Sequence, residues 1–121
     1  MVVAYWIVAA LLAALYLYSG ILKLTRSREQ LMPMMNWVED TPMRLVRVIG
    51  ALEFLGAIGL IVPALLDIAA WLAVAAAVGL VLLQVAATTL HLRRGEGRQI
   101  WFNLGLLVLA AVAAWLATSL T

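Results

Sequence analysis

Four long apolar stretches follow one another along the chain, and short segments that hold most of the charged residues separate them. Residues 2–22, 68–90 and 99–121 contain no charged side chain, and residues 48–66 contain only Glu53. A bilayer core about 30 Å thick is crossed by about 20 helical residues. Backbone groups in hydrocarbon must be paired within a helix or a closed barrel, and the period-two pattern of a barrel is absent. The pattern predicts an all-α, four-transmembrane-helix bundle, a single membrane domain with helices at about residues 2–24, 44–62, 67–91 and 99–120.

The connection between the first two spans is long enough to have structure of its own. Apolar side chains recur in it at helical spacing: Leu31, Met34, Met35 and Val38. This spacing predicts a short interfacial helix that starts near Met32, with Pro33 in its first turn. Such a helix serves as a lid or docking surface, or simply rests on the lipid headgroups, which we favour. Pro63 should end or kink the second span.

Composition places the chain in lipid and excludes several other classes. The 121 residues are 67% hydrophobic and 12% charged, with a mean hydropathy of +1.11, which a soluble domain could not accommodate. The basic residues flank the spans and form no soluble patch, so nucleic acid is not an expected partner. The absence of cysteine excludes a disulfide or a thiol redox centre, and one histidine does not build a conventional metal site.

The basic residues also predict the orientation of the chain. Every lysine and arginine borders one of two connections, the first or the third: Lys23, Arg26, Arg28, Arg44, Arg47, Arg93, Arg94 and Arg98. Short loops rich in lysine and arginine stay in the cytoplasm. We therefore expect an integral protein of a bacterial or archaeal cell membrane, with both basic loops cytoplasmic and both termini outside.

Glu53 is the most informative residue, because it is a carboxylate inside a predicted span. A charge near the bilayer centre costs at least about 2.5 kcal/mol, so Glu53 should be protonated, paired or facing a wet cavity. Its own helix offers no cation one or two turns away. A partner must come from another helix or from a ligand, and Lys23 or His91 could pair with Glu53 by reaching inward.

Polar residues on the other spans lie in the same, cytoplasmic half as Glu53. They predict an inward-opening pocket with these candidate ligand-binding residues: Ser19, Lys23, Glu53, Gln84, His91 and Asn103. The amides of Gln84 and Asn103 would complete the hydrogen bonds of Glu53. The alternative is a purely structural polar network that ties the helices together, and spacing alone leaves both interpretations open.

Three segments carry a resemblance to a known family. SGILKL at residues 19–24, RVIGALEFLGAIGLIVP at residues 47–63 and HLRRGE at residues 91–96 resemble the DoxX-like family of small four-helix membrane proteins. The resemblance spans nearly the whole chain. It implies a four-helix bundle and, for some relatives, membership of a membrane redox system that delivers electrons to quinone. It also implies a polar pocket that includes Lys23, Glu53 and His91.

Several functions are compatible with this pattern. The first is a subunit that binds an apolar molecule such as a quinone, with a redox partner subunit or a second copy of the chain as partner. No intrinsic cofactor is expected, because no flavin, haem or nucleotide motif is recognisable. A second is an enzyme that uses Glu53 as a catalytic acid or base on a lipid-soluble substrate. A small proton-coupled transporter and a structural assembly subunit are the remaining alternatives.

Overall fold

Four long helices form the molecule in the computed structural model, which describes residues 2–66, 71–95 and 97–120. These residues contain no strand. Their helices are α1 (Val2–Thr25), α2 (Arg28–Leu31), α3 (Met43–Leu66), α4 (Trp71–Arg94) and α5 (Gly97–Ala117), with 3-10 helices at Asn36–Asp40 and Thr118–Leu120. Within the described residues, α1, α3, α4 and the helical stretch that ends at Leu120 are long and apolar enough to cross a membrane. The all-α, four-span prediction is confirmed.

The long helices form a ring of antiparallel neighbours. Helix α1 packs most extensively on α3 and α4 on α5, while contacts between α3 and α4 and between α1 and α5 close the ring. Helices α1 and α4 are therefore diagonal partners across the bundle. The end where α1 and α4 finish and α3 and α5 begin, here called the basic end, carries Lys23, Arg47 and Arg94.

The half of the bundle away from the basic end has an almost wholly apolar interior. Small side chains let the helices approach closely there, as expected where packing drives helix association in lipid. Its fully buried residues include Tyr5, Ala9, Leu12, Leu60, Ala73, Ala77, Ala110 and Ala113. Large apolar side chains such as Ile7, Leu55 and Leu82 face outward, where lipid covers them. Polar chemistry is thereby confined to the other half.

Pro63 does not end its helix, contrary to one of the two outcomes expected from the sequence. Helix α3 continues through it to Leu66. Proline disturbs the hydrogen bonds of the preceding turn, and neighbouring side chains can compensate inside a membrane bundle. The Tyr5 hydroxyl donates to the Leu60 carbonyl in that turn, at 2.6 Å. This contact joins α1 to the turn of α3 that precedes the proline.

The expected turn at Asp67 and the start of the third span at residues 67–70 lie outside the described residues. On the basic side, Gly95 has a φ of +71°, a conformation that favours glycine and turns the chain between α4 and α5. Glu96, which follows it, also lies outside the described residues. Helix α5 then begins at Gly97.

Residues 26–42, here called the cap segment, fold over the basic ends of α1 and α3. Helix α2 is a single turn in which Ser27 and Gln30 form a capping box. Pro33 lies in the turn that follows, so the predicted helix starting near Met32 is wrong in its position. The reason is burial: Leu31 and Val38 are both fully buried and belong to one core with Leu22 and Val46. The chain bends to bury both side chains.

Candidate functional site

Three residues from α1 and α3 form a buried charged group, here called the ion-pair cluster: Ser19, Lys23 and Glu53. Lys23 Nζ donates to Glu53 Oε1 at 2.5 Å and to Ser19 Oγ at 2.8 Å. Ser19 Oγ lies 3.3 Å from both carboxylate oxygens of Glu53. Lys23 exposes only 7% of its surface and Glu53 only 4%. The two charges thus neutralise each other inside the bundle.

A close approach of α1 and α3 sets the geometry of this cluster. A Cβ atom on Gly20 would lie 2.8 Å from the Gly50 carbonyl oxygen, and one on Gly50 would lie 2.7 Å from Lys23 Cβ. Real Cβ atoms do not pack that closely, so the crossing requires glycine on both helices. It brings Lys23 beside Glu53, which lies one turn beyond Gly50 on α3. Of the two partners expected for Glu53, Lys23 is the one that the structure places on the carboxylate.

The cap segment covers the ion-pair cluster from the basic end. The Trp37 ring lies 5.6 Å from Lys23 Nζ, within the range of a cation–π contact. Arg47 donates to the carbonyls of Lys23 and Arg26, both at 2.6 Å, and holds the end of α1 in place. Arg94 pairs with Asp40 and links the cap segment to the end of α4. Trp37 thus contacts the site, a role that its spacing in the sequence did not reveal.

A second polar group, here called the α4–α5 polar cluster, consists of Gln84, Thr88 and Asn103. Three of its atoms are buried and have no hydrogen-bond partner among the described residues: Gln84 Oε1, Thr88 Oγ1 and Asn103 Nδ2. Gln84 and Asn103 each expose 4% of their surface. Leaving such groups unpaired is costly, so buried polar atoms are nearly always satisfied. The polar half of the bundle therefore contains three buried groups whose hydrogen-bonding capacity the described residues do not satisfy.

The three residues lie at similar depth from the basic end. Thr88 is seven residues before Gly95 and Asn103 eight after it, so the two are level across the α4–α5 hairpin. Gln84 is one helical turn deeper than Thr88 on the same face of α4. It lies ten residues from Arg94, about 15 Å at the rise of a helix, the same interval that separates Glu53 from the start of α3.

A hydrogen bond joins α4 to α1 across the bundle. Gln84 Nε2 donates to the Tyr16 hydroxyl at 2.6 Å, and Tyr16 is nearly fully buried. Tyr16 lies on the same stripe of α1 as Ser19 and Lys23, at spacings of three and seven residues. The two clusters therefore share one interior, with Tyr16 between them.

The structure also locates the hydrogen-bond donor of Glu53 and the position of His91, which were both predicted for this pocket. Ser19, rather than Gln84 or Asn103, donates to Glu53. His91 is buried in the last turn of α4, three residues beyond Thr88 towards the basic end. Thr88, which follows Gln84 by four residues on α4, was not among the residues predicted for the pocket. The described residues contain no group of three or more potential metal ligands.

A groove lies between α3 and α4. It has a volume of about 740 Å³, and apolar residues alone line it, among them Gly56, Gly59, Val62, Ala76 and Leu83. The strongly exposed Leu55 and Leu82 border it, so it opens towards lipid. Glu53 projects from a different face of α3, towards α1. The groove could hold an apolar molecule, but its side chains have no polar group that would recognise a polar head.

These features define a class of protein, the small integral membrane protein with four apolar helices. The polar part of its interior is confined to one half of the bundle. The DoxX-like family model matches residues 7–113, and the chain belongs to this family. No match was found among curated proteins or solved structures. The predicted resemblance to this family is confirmed, and the matched region contains both the ion-pair cluster and the α4–α5 polar cluster.

Proposed function

We propose that this protein binds a small apolar molecule with a polar head, such as a quinone, as the membrane subunit of a redox system. The head would enter the polar half of the bundle, and the apolar body would lie among the helices or in lipid. Ligand sites typically combine apolar walls with a few convergent polar groups. The observation that carries the proposal is the presence of three buried polar atoms without a protein partner on α4 and α5.

The ion-pair cluster supports a binding role better than acid–base catalysis by Glu53. Both carboxylate oxygens lie near Ser19 Oγ, and one accepts from Lys23. These contacts direct the Glu53 carboxylate to Lys23 and Ser19 on α1 and leave it poorly placed to exchange a proton with a substrate. We therefore assign Glu53 and Lys23 to shaping and polarising the pocket. An enzymatic use of Glu53 stays a prediction.

The structural alternative makes an opposite prediction for the α4–α5 polar cluster. If these residues only tied helices together, all of their buried polar atoms would have partners on neighbouring helices, as Gln84 Nε2 has in Tyr16, and their loss would destabilise the fold. A buried hydroxyl without a partner behaves differently, because replacing it with an apolar group of the same shape removes an uncompensated desolvation cost. Thr88 and its neighbour Thr89 allow a matched comparison. The Thr89 hydroxyl is exposed and donates to the Val85 carbonyl of its own helix at 2.9 Å.

The experiment compares Thr88→Val with Thr89→Val in lipid nanodiscs. A short-chain ubiquinone is titrated into each, with empty nanodiscs as the blank for partitioning into lipid. We expect Thr88→Val to weaken binding about tenfold, as the loss of one hydrogen bond of about 1.4 kcal/mol predicts, while its ligand-free stability stays equal to or above that of the native chain. Thr89→Val should bind like the native chain. Equal binding by all three, or lowered stability of Thr88→Val, contradicts the proposal.

A further inference from the structure

The unpartnered atoms of the α4–α5 polar cluster are of opposite kinds. Gln84 Oε1 is an acceptor and needs a donor, whereas Asn103 Nδ2 is a donor and needs an acceptor. Gln84 Nε2 donates to the Tyr16 hydroxyl at 2.6 Å, and this leaves Oε1 as the atom of the amide without a partner. The Thr88 hydroxyl between them can act in either direction. A head group that satisfies this set must both donate and accept.

The charge of the head group is also constrained. Lys23 and Glu53 pair at 2.5 Å, so neither of them offers an uncompensated charge to the head group. An ionised head would need a counter-ion at this depth, since charges in the membrane interior are costly. The amides and hydroxyls of the cluster are neutral. The pocket therefore suits a neutral head.

We infer that the site selects a neutral hydroxyl-bearing head group, and that of the two redox forms of a quinone it prefers the quinol. This inference rests on the proposed function. A quinol oxygen can accept from Asn103 Nδ2 while its proton is donated to Gln84 Oε1. A quinone carbonyl can accept from Asn103 but leaves Gln84 Oε1 without a donor. Sites with buried polar groups discriminate strongly against analogues that leave one unpaired.

The test measures the affinity of the protein in nanodiscs for ubiquinone-1 and for ubiquinol-1 under anaerobic conditions, with empty nanodiscs as the blank. We expect the native protein to bind the quinol about tenfold more tightly, the ratio that one hydrogen bond supplies. Gln84→Leu removes the acceptor and should bring this ratio close to one. Thr89→Val, which faces lipid, should keep the native ratio.

A second variant keeps the inference testable if Gln84→Leu does not fold, since that residue also bonds to Tyr16. Asn103→Leu removes a donor that serves carbonyl and hydroxyl oxygens alike, so it should weaken both forms by the same factor. A change in the ratio in Asn103→Leu, or equal or tighter quinone binding by the native protein, overturns the inference but leaves the proposed function standing. Failure of both forms to bind above the blank overturns both.

Discussion

At the scale of single residues, the ion-pair cluster has two opposing effects on the free energy of folding. Burial of its charges is unfavourable, and the attraction between them is favourable. Removing two charges from solvent is expensive, and their attraction repays this only when the geometry is good. Lys23 and Glu53 meet at 2.5 Å, and Ser19 bridges them. Each charge is tolerated because the other is present. Loss of one partner should therefore be worse than loss of both.

A pair of variants tests this dependence. Lys23→Met alone leaves Glu53 buried without a cation, and we expect the free energy of unfolding to fall by about 3–5 kcal/mol. Lys23→Met combined with Glu53→Leu should recover most of that loss, because two apolar side chains replace the pair. Reversible unfolding in mixed micelles measures both. If the double variant is no more stable than Lys23→Met alone, the unpaired charge of Glu53 is not the cause of the lost stability.

The identity of the Glu53 partner marks the limit of what residue spacing can predict. Hydropathy and the absence of a cation one or two turns from Glu53 on α3 were enough to expect a partner on another helix. They could not choose between Lys23 and His91, which lie near the basic ends of different helices. The choice depends on the rotation of α1 against α3, which the contact between Gly20 and Gly50 sets. Their sequence separation of 30 residues hides that contact from any local pattern.

At the scale of secondary-structure elements, the crossing of α1 and α3 positions the site. The Cβ that alanine would add at Gly50 falls 2.7 Å from Lys23 Cβ and 3.0 Å from the Gly20 carbonyl oxygen. Both atoms are on α1, and neither can move away unless α1 itself moves. The crossing therefore couples helix packing directly to the position of the Lys23 ammonium.

Gly50→Ala should separate the two helices, lower the stability by about 1–3 kcal/mol through overpacking, and weaken ligand binding. Gly105→Ala is the matched control, since nothing lies within 4 Å of a Cβ at that position in α5. Unfolding in micelles and ubiquinone binding are measured for both variants. If Gly50→Ala behaves like Gly105→Ala, the close crossing has no role in forming the site.

The cap segment shows why element boundaries outside the spans were harder to predict. Period and proline position suggested a helix from Met32, but the segment forms one α-turn and a separate 3-10 helix. Short helices gain little from their own hydrogen bonds, so tertiary burial decides their conformation. Leu31 and Val38 are buried in the core formed with α1 and α3, and Arg28 donates to the Val38 carbonyl at 2.8 Å. None of these contacts can be predicted from the spacing of apolar residues within the segment.

At the scale of the whole molecule, the bundle is polarised. Its apolar half is closed by small residues, whereas its basic end holds the ion-pair cluster, the α4–α5 polar cluster and the cap segment. Long uncharged stretches made the four spans predictable, because the bilayer fixes their length. The arrangement of the polar half was not predictable, since it depends on contacts among all four helices.

The orientation of this polarity in the membrane is a separate prediction, and the cysteine-free sequence makes it simple to test. A single cysteine at Met34, in the cap segment, should react with a membrane-impermeant maleimide only after the cells are permeabilised. A cysteine at Ser119, near the other end of the bundle, should react in intact cells. Both positions are exposed, so access depends on the side of the membrane. The reverse labelling pattern would invert the assigned topology.

The location of the bound molecule tests the central claim most directly, because the chain offers two competing places for it. One is the polar half at Gln84, Thr88 and Asn103, and the other is the apolar groove of about 740 Å³ between α3 and α4. A short-chain azidoquinone can be photoactivated in nanodiscs, with excess ubiquinone-1 as competitor and mass spectrometry to locate the label.

We predict competitor-sensitive labelling of α4 and α5 around Thr88 and Asn103, with label lost in Thr88→Val and retained in Thr89→Val. Labelling confined to residues of the groove such as Val62 and Leu72, unaffected by Thr88→Val, would contradict the account.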